Sequence, residues 1–130
     1  MAHPNEDLIR RGFEAFSRGD MDTLRNELLA PEVKYHVPGK SPISGDYNGV
    51  DEVLGFFGKI FELTGGTFRV ELHDVLANDE HGIALSPATG QRGGKTLHDN
   101  GVLVFHLRDG KTTEVWLQPE DLYALDEFFS

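Results

Sequence analysis

The hydrophobic period of this chain changes at Thr67, and that change limits the folds open to it. Before Thr67 the apolar residues recur at helical spacing. Leu8, Ile9, Phe13 and Phe16 mark a first helix over Asn5 to Arg18, capped by Asn5 or the residue before it and stopped by Gly19. Asp20 caps a second, short helix with Met21, Leu24, Leu28 and Leu29 on its apolar side, and Ala30-Pro31 stops it. A short strand, Val33 to Val37, runs into a loop rich in Pro, Gly and Ser that reaches Gly45. Asp51 caps a third helix to about Leu63. Its apolar residues Val53, Leu54, Phe56, Phe57, Ile60 and Phe61 leave little of it for solvent. From Thr67 the period is two: Phe68, Val70 and Leu72 alternate with Arg69, Glu71 and His73.

Turn signals then divide the rest. Asn78 to His81 is one turn, Arg92-Gly93-Gly94-Lys95 a second and Asp109-Gly110 a third. Pro87 lies inside the strand through Ile83, Ala84 and Leu85, which predicts an edge or a bulge there. The longest strand covers Thr96 to Arg108 and the last Lys111 to Gln118. Pro119 ends the sheet, and Glu120 to Phe128 forms a final helix. Helices first and a four-strand antiparallel meander second predict an α+β fold with the helices on one face of the sheet.

The chain has 130 residues, enough for one domain over 1–130 and too few for two. No cysteine is present, so disulfides, thiolate catalysis and cysteine metal sites are excluded. The opening Met1-Ala2-His3-Pro4-Asn5-Glu6-Asp7 lacks the basic and apolar regions of a signal peptide. No apolar run approaches the roughly 20 residues that cross a bilayer. A cytoplasmic protein is expected. The net charge of −10 leaves no basic face for nucleic acid or an anionic membrane.

The Asp109-Gly110 hairpin predicts the two faces of the sheet. A two-residue turn pairs Arg108 with Lys111, Leu107 with Thr112, Phe105 with Glu114 and Leu103 with Trp116. One face then carries Asp99, Leu103, Phe105, Leu107, Glu114, Trp116 and Gln118. The other carries Val102, Val104, His106, Val115 and Leu117. Both are apolar at their centres, and the helices can cover only one. The second face is expected to meet another copy in a two-fold homodimer.

Three stretches carry a family resemblance. They are Phe13-Glu14-Ala15-Phe16-Ser17-Arg18-Gly19-Asp20, the loop from His36-Val37-Pro38-Gly39 through Gly45-Asp46-Tyr47-Asn48-Gly49, and Arg108-Asp109-Gly110-Lys111 leading to Glu114-Val115-Trp116. With the element order, they resemble the SnoaL-like, ketosteroid-isomerase-related proteins of the nuclear transport factor two-like superfamily. The resemblance implies a cystatin-like cone: a curved antiparallel sheet packed on N-terminal helices around a small-molecule pocket. In the register of the isomerases, the aspartate base falls on His36. The tyrosine and carboxylic acid that hold the enolate oxygen fall on Gly12 and Leu103, which have no donor to offer. The resemblance therefore implies a relative of the isomerases and not their steroid reaction.

The candidate catalytic residues are His36 and Asp99. A base and an acid in an apolar pocket can enolise, cyclise or dehydrate without a cofactor, and the expectation is an isomerase-, cyclase-, dehydratase- or hydrolase-type enzyme on a small apolar carbonyl or hydroxy compound. Candidate ligand contacts are Tyr35, Phe13, Phe16, Phe57, Phe61, Leu103, Phe105, Trp116 and Gln118. Strand alternation allows only one of Tyr35 and His36 to face the pocket. The six histidines form no metal-ligand spacing, so no metal is expected. No nucleophile motif is present. The alternative is a ligand-binding protein or a dimeric interaction module of the same fold.

Overall fold

The structure is a computed structural model and describes residues 3–130. Met1 and Ala2, the start of the segment read for a targeting signal, lie outside the described residues. Helix α1 spans Pro4–Arg18. Its cap is His3 rather than Asn5: Asn5 N donates to His3 Nδ1 at 3.1 Å, and His3 N donates to Glu6. Pro4 then takes the first helical position, where its missing N–H costs nothing. Gly19 closes the helix in the left-handed conformation, with φ 68°.

The second helical stretch is short. Helix α2 covers Met21–Thr23, capped by Asp20, and a wider π-helical turn follows over Leu24–Leu28. Strand β1 starts at Leu29, four residues before the sequence predicts, and runs to Val37. Strand β2, Gly45–Asn48, folds back antiparallel on β1. Helix α3 spans Val50–Leu63 and buries Val53, Leu54, Phe56, Phe57 and Ile60. No described helix is long and apolar enough to cross a membrane.

The first predicted strand of the meander is broken. Only Arg69–Val70 (β3) and Asp74–Ala77 (β4) are regular, and both pair with β5, His81–Arg92. Between them, Glu71 N and His73 N still donate to Pro87 O and Leu85 O. Pro87 sits opposite this gap, where its lack of an N–H does least harm to the ladder. Strand β6, Lys95–Arg108, pairs with the whole of β5 through its residues Lys95 to His106. Strand β7 covers Lys111–Gln118, and helix α4 covers Leu122–Phe129.

The strand order is β2-β1-β7-β6-β5-β3, with β4 also beside β5. The sheet is mixed, since β1 lies parallel to β7. This corrects the all-antiparallel expectation: the strand before α3 returns to the sheet beside the last strand. The fold is α+β. Residues of α1, α3 and α4 join the inward side chains of the sheet in one buried cluster that includes Ile9, Phe57, Leu97, Phe105 and Phe129.

One irregularity decides which side chains face that cluster. Arg108 pairs with Lys111 and Leu107 with Thr112, as the hairpin predicts. Beyond them His106 pairs with Glu114, Phe105 with Val115, Val104 with Trp116 and Leu103 with Leu117. Thr113 is a β-bulge, and its hydroxyl donates to His106 O at 3.2 Å. Because strand side chains alternate, one extra residue exchanges the faces of everything after it. Val115 and Leu117 therefore point inward, and Glu114, Trp116 and Gln118 point outward.

Candidate functional site

The cone encloses a cavity of about 140 Å³ between the inner face of the sheet and helices α1, α3 and α4. Phe13 and Phe16 from α1, Phe57 from α3, Tyr35 from β1, and Leu103 and Phe105 from β6 line it, as expected. Phe61 does not reach it. That ring packs behind Phe16, with centroids 4.9 Å apart. Trp116 and Gln118 are corrected outright: the bulge at Thr113 turns both away from the cavity. Val115 and Leu117, expected on the outer face, line it instead.

His36 and Tyr35 are separated by strand alternation. Tyr35 faces the cavity and packs against Phe56 and Phe57. Its phenol oxygen has no hydrogen-bond partner among the described residues and is not sealed off. Burial pushes its pKa up, which keeps the phenol protonated and able to donate. His36 lies on the opposite face. Its Nδ1 is 2.7 Å from Asp46 Oδ1 and its Nε2 is 2.6 Å from Glu114 Oε2. Its ring stacks on Trp116. The expected His36–Asp99 pair is therefore not formed: His36 stands level with Trp116 and the outward Val104, whereas Asp99, five residues before Val104 on β6, faces inward.

Asp99 lies inside. It is 6 % exposed and lines the cavity. Its Oδ1 accepts from the backbone N–H groups of Glu120 and Asp121, at 3.1 and 3.3 Å. Its Oδ2 has no partner among the described residues and is not sealed off. Gly101, the next inward position on β6, makes room for it. A Cβ there would lie 2.7 Å from Asp99 Oδ2. Burial raises the Asp99 pKa, and the charges of Glu120 and Asp121 add to this. The two backbone N–H groups oppose it. A buried carboxyl with one free oxygen in an apolar cavity can accept or deliver a proton.

Sequence reasoning missed Ser86, Thr112, Leu125 and Phe129 as cavity residues. Ser86 and Thr112 are the other hydroxyls of the lining, and Ser86 donates to Gly101 O at 3.4 Å. Leu125 and Phe129 come from α4, which roofs the cavity. The helix itself was expected after Pro119, but its position over the site was not legible. Among the described residues no group of three or more His, Asp or Glu is placed to hold a metal ion.

Comparison with known proteins agrees with this architecture. The chain is 35 % identical over 125 residues to the uncharacterized protein Rv0034 of Mycobacterium tuberculosis, covering 95 % of each. It superposes on Bal32a, from a soil-derived mobile gene cassette, with a TM-score of 0.95 and 38 % identity over 99 % of this chain and 98 % of that one. A protein of unknown function with a cystatin-like fold from Xanthomonas campestris gives a TM-score of 0.88 and 31 % identity, over 95 % and 96 % of the two chains. The family model for the SnoaL-like domain matches residues 9–115, from the first helix to the strand that closes the cavity, and the chain belongs to that family.

Proposed function

We propose that this SnoaL-like protein takes a small, largely apolar carbonyl or hydroxy compound into its cavity and moves a proton on it through Asp99. The observation that carries the reading is the unpartnered Oδ2 of Asp99 in an enclosure that is largely apolar. In a step of isomerase, cyclase or dehydratase type, Oδ2 takes a proton from the carbon beside a carbonyl. The C–H bond breaks, an O–H bond forms on Asp99, and the negative charge moves to the carbonyl oxygen. The Tyr35 phenol is the donor available to hold that oxygen. The proton then returns to another carbon, or leaves with a hydroxyl as water. The reading invokes no cofactor, and His36 takes no part in it.

The cavity bounds the substrate. Its volume of about 140 Å³ is close to the roughly 150 Å³ of an engineered apolar cavity that holds benzene. A single ring or a chain of similar bulk fits, and a steroid does not.

A second reading is a binding protein without turnover. It is favoured by the two backbone N–H groups on Asp99 Oδ1, which give that carboxyl a structural task as well. Cyclohexanone separates the two. Proton NMR in D2O follows loss of its α-protons with wild type and with Asp99→Asn. Faster exchange in wild type alone supports proton transfer. Binding with equal exchange in both leaves the binding reading.

The reading also includes a two-fold homodimer through the outer face of the sheet. Val102, Val104 and His106 stay on that face as expected, and Trp116 replaces Val115 and Leu117 there.

A further inference from the structure

Six residues stand directly opposite one another across six strands on the outer face: Leu76, Ile83, Val104, Trp116, His36 and Asp46. The first four are apolar and the last two ionic. Leu76, Ile83 and Leu85 are 58 %, 43 % and 36 % exposed. The helices lining the cavity lie on the other face, so no described helix covers this one. The charged residues are of both signs: Asp46 and Glu114 against Lys34, with His81 and His106 beside them.

Resting on the homodimer reading above, in which this face meets the same face of a second copy, we propose that His36 makes the pairing pH-dependent. The dimer is tight while the ring is an imidazolium and weakens when it becomes neutral.

The occupant follows from shape and charge. At about 4.8 Å between strands and 3.4 Å per residue, seven residues of each of the four long strands with the four-residue β2 and β4 cover about 600 Å². A standard interface takes about 800 Å² from each partner. A two-fold brings the same patch to itself, so the patch must be self-complementary. One that carries apolar residues and both signs of charge is. A strongly acidic partner would meet Asp46 and Glu114, and a strongly basic one Lys34 and the histidines.

The pH dependence follows from the hydrogen bonds. Ionised carboxylates only accept, and His36 has one at each ring nitrogen. Both nitrogens must donate, so the ring is cationic in this arrangement. It lies over Trp116, with centroids 5.3 Å apart and planes 25° from parallel, where the aromatic face favours a cation. Asp46 does most to raise the His36 pKa; partial burial opposes it and Glu114 adds to it. The groups around His36 are Asp46 from β2, Glu114 and Trp116 from β7, and Lys34 on its own strand, opposite Glu114. Beyond Glu114 come His106 of β6, 3.7 Å from its second oxygen, and His81 of β5. When His36 loses its proton, one carboxylate loses its donor and the cluster becomes more negative. Burying an uncompensated carboxylate is costly, and each copy already carries −10.

Sedimentation equilibrium at constant ionic strength, at pH 6, 7.5 and 9, tests this on the full chain. Wild type should show a dimer Kd that rises about tenfold or more between pH 6 and 9. His36→Gln should give one weak Kd at every pH. His36→Arg, whose planar fork can meet both carboxylates and stack on Trp116, should stay dimeric at pH 9. Val104→Asp should be monomeric at pH 6, with far-UV circular dichroism confirming that it is folded. A wild-type dimer with the same Kd at all pH values overturns the pH dependence and leaves the dimer standing. A pH effect that persists in His36→Gln assigns it to His81 or His106 and overturns the role of His36. Dimers of Val104→Asp overturn the choice of face. A wild type monomeric throughout overturns both the dimer and its regulation.

Discussion

Trp116 stacks against His36 with ring centroids 5.3 Å apart, and both rings lie on the side of the sheet away from the cavity. Trp116 is the chain's one tryptophan, so its fluorescence reports on the outer face. Uptake of cyclohexanone should leave its emission maximum where it is, and Trp116→Phe should keep the affinity. A shift in emission on uptake, under conditions where the oligomeric state does not change, would place the indole in the cavity and contradict the bulge at Thr113.

Much of this arrangement could be read in the residues. The first three helices were legible from apolar spacing, and the final one, expected over Glu120 to Phe128 after Pro119, lies at Leu122–Phe129. Asp99, Leu103 and Phe105 were placed inward correctly because β6 alternates without interruption from Leu97 to Leu107. The bulge was not legible. Thr112 and Thr113 are equally good strand residues, and nothing local marks one of them as extra. That one residue reversed Trp116, Gln118, Val115 and Leu117 together. The pairing of β1 with β7 was hidden for another reason: it joins segments about 80 positions apart, and no local pattern encodes such a contact. His36 was misplaced because the resemblance fixes a position along the strand, and the cavity side at that position belongs to Tyr35.

Gly12 lies within α1, at the cavity wall. A Cβ built there meets nothing within 4 Å. Glycine inside a helix costs about 0.5–1 kcal/mol relative to alanine. Gly12→Ala should therefore stabilise the fold by about that amount, seen as a higher midpoint in urea at an unchanged slope. A destabilised variant would mean that α1 packs more closely on the sheet than the structure has it.

Gly82 predicts the opposite outcome. It lies on β5 facing α1, and a Cβ there would collide with the tip of Ile9 and approach Leu107 Cδ1 to 3.4 Å. Ile9 is 2 % exposed and has little room to turn aside. Gly82→Ala should cost about 1–3 kcal/mol, the usual cost of overpacking a filled core. Adding Ile9→Val should recover part of that loss. Urea unfolding of the two single variants and the double variant measures the coupling. Additive effects would show that Ile9 is not what the new methyl meets.

Asp99 joins the site to the roof above it. Its Oδ1 accepts from Glu120 N and Asp121 N at the root of α4, and α4 places Leu125 and Phe129 over the cavity. Burial raises its pKa in the folded state. The sign follows from proton linkage: the folded protein holds this proton more tightly than the unfolded chain does. Ionisation therefore costs stability, and the cost grows as pH rises from the unfolded carboxylate value, near 3.9, through the higher folded value. Asp99→Asn keeps an oxygen for the two N–H groups and removes the ionisation. It should be as stable as wild type near pH 3.5, and more stable than wild type at pH 7. Asp99→Leu leaves both N–H groups without an acceptor and should lose about 1–3 kcal/mol at either pH. Urea midpoints of the three proteins at pH 3.5 and 7 decide the matter. A less stable Asp99→Asn at pH 7 would mean that the ionised carboxylate holds α4 in place, and that its charge belongs to the fold before it belongs to any reaction.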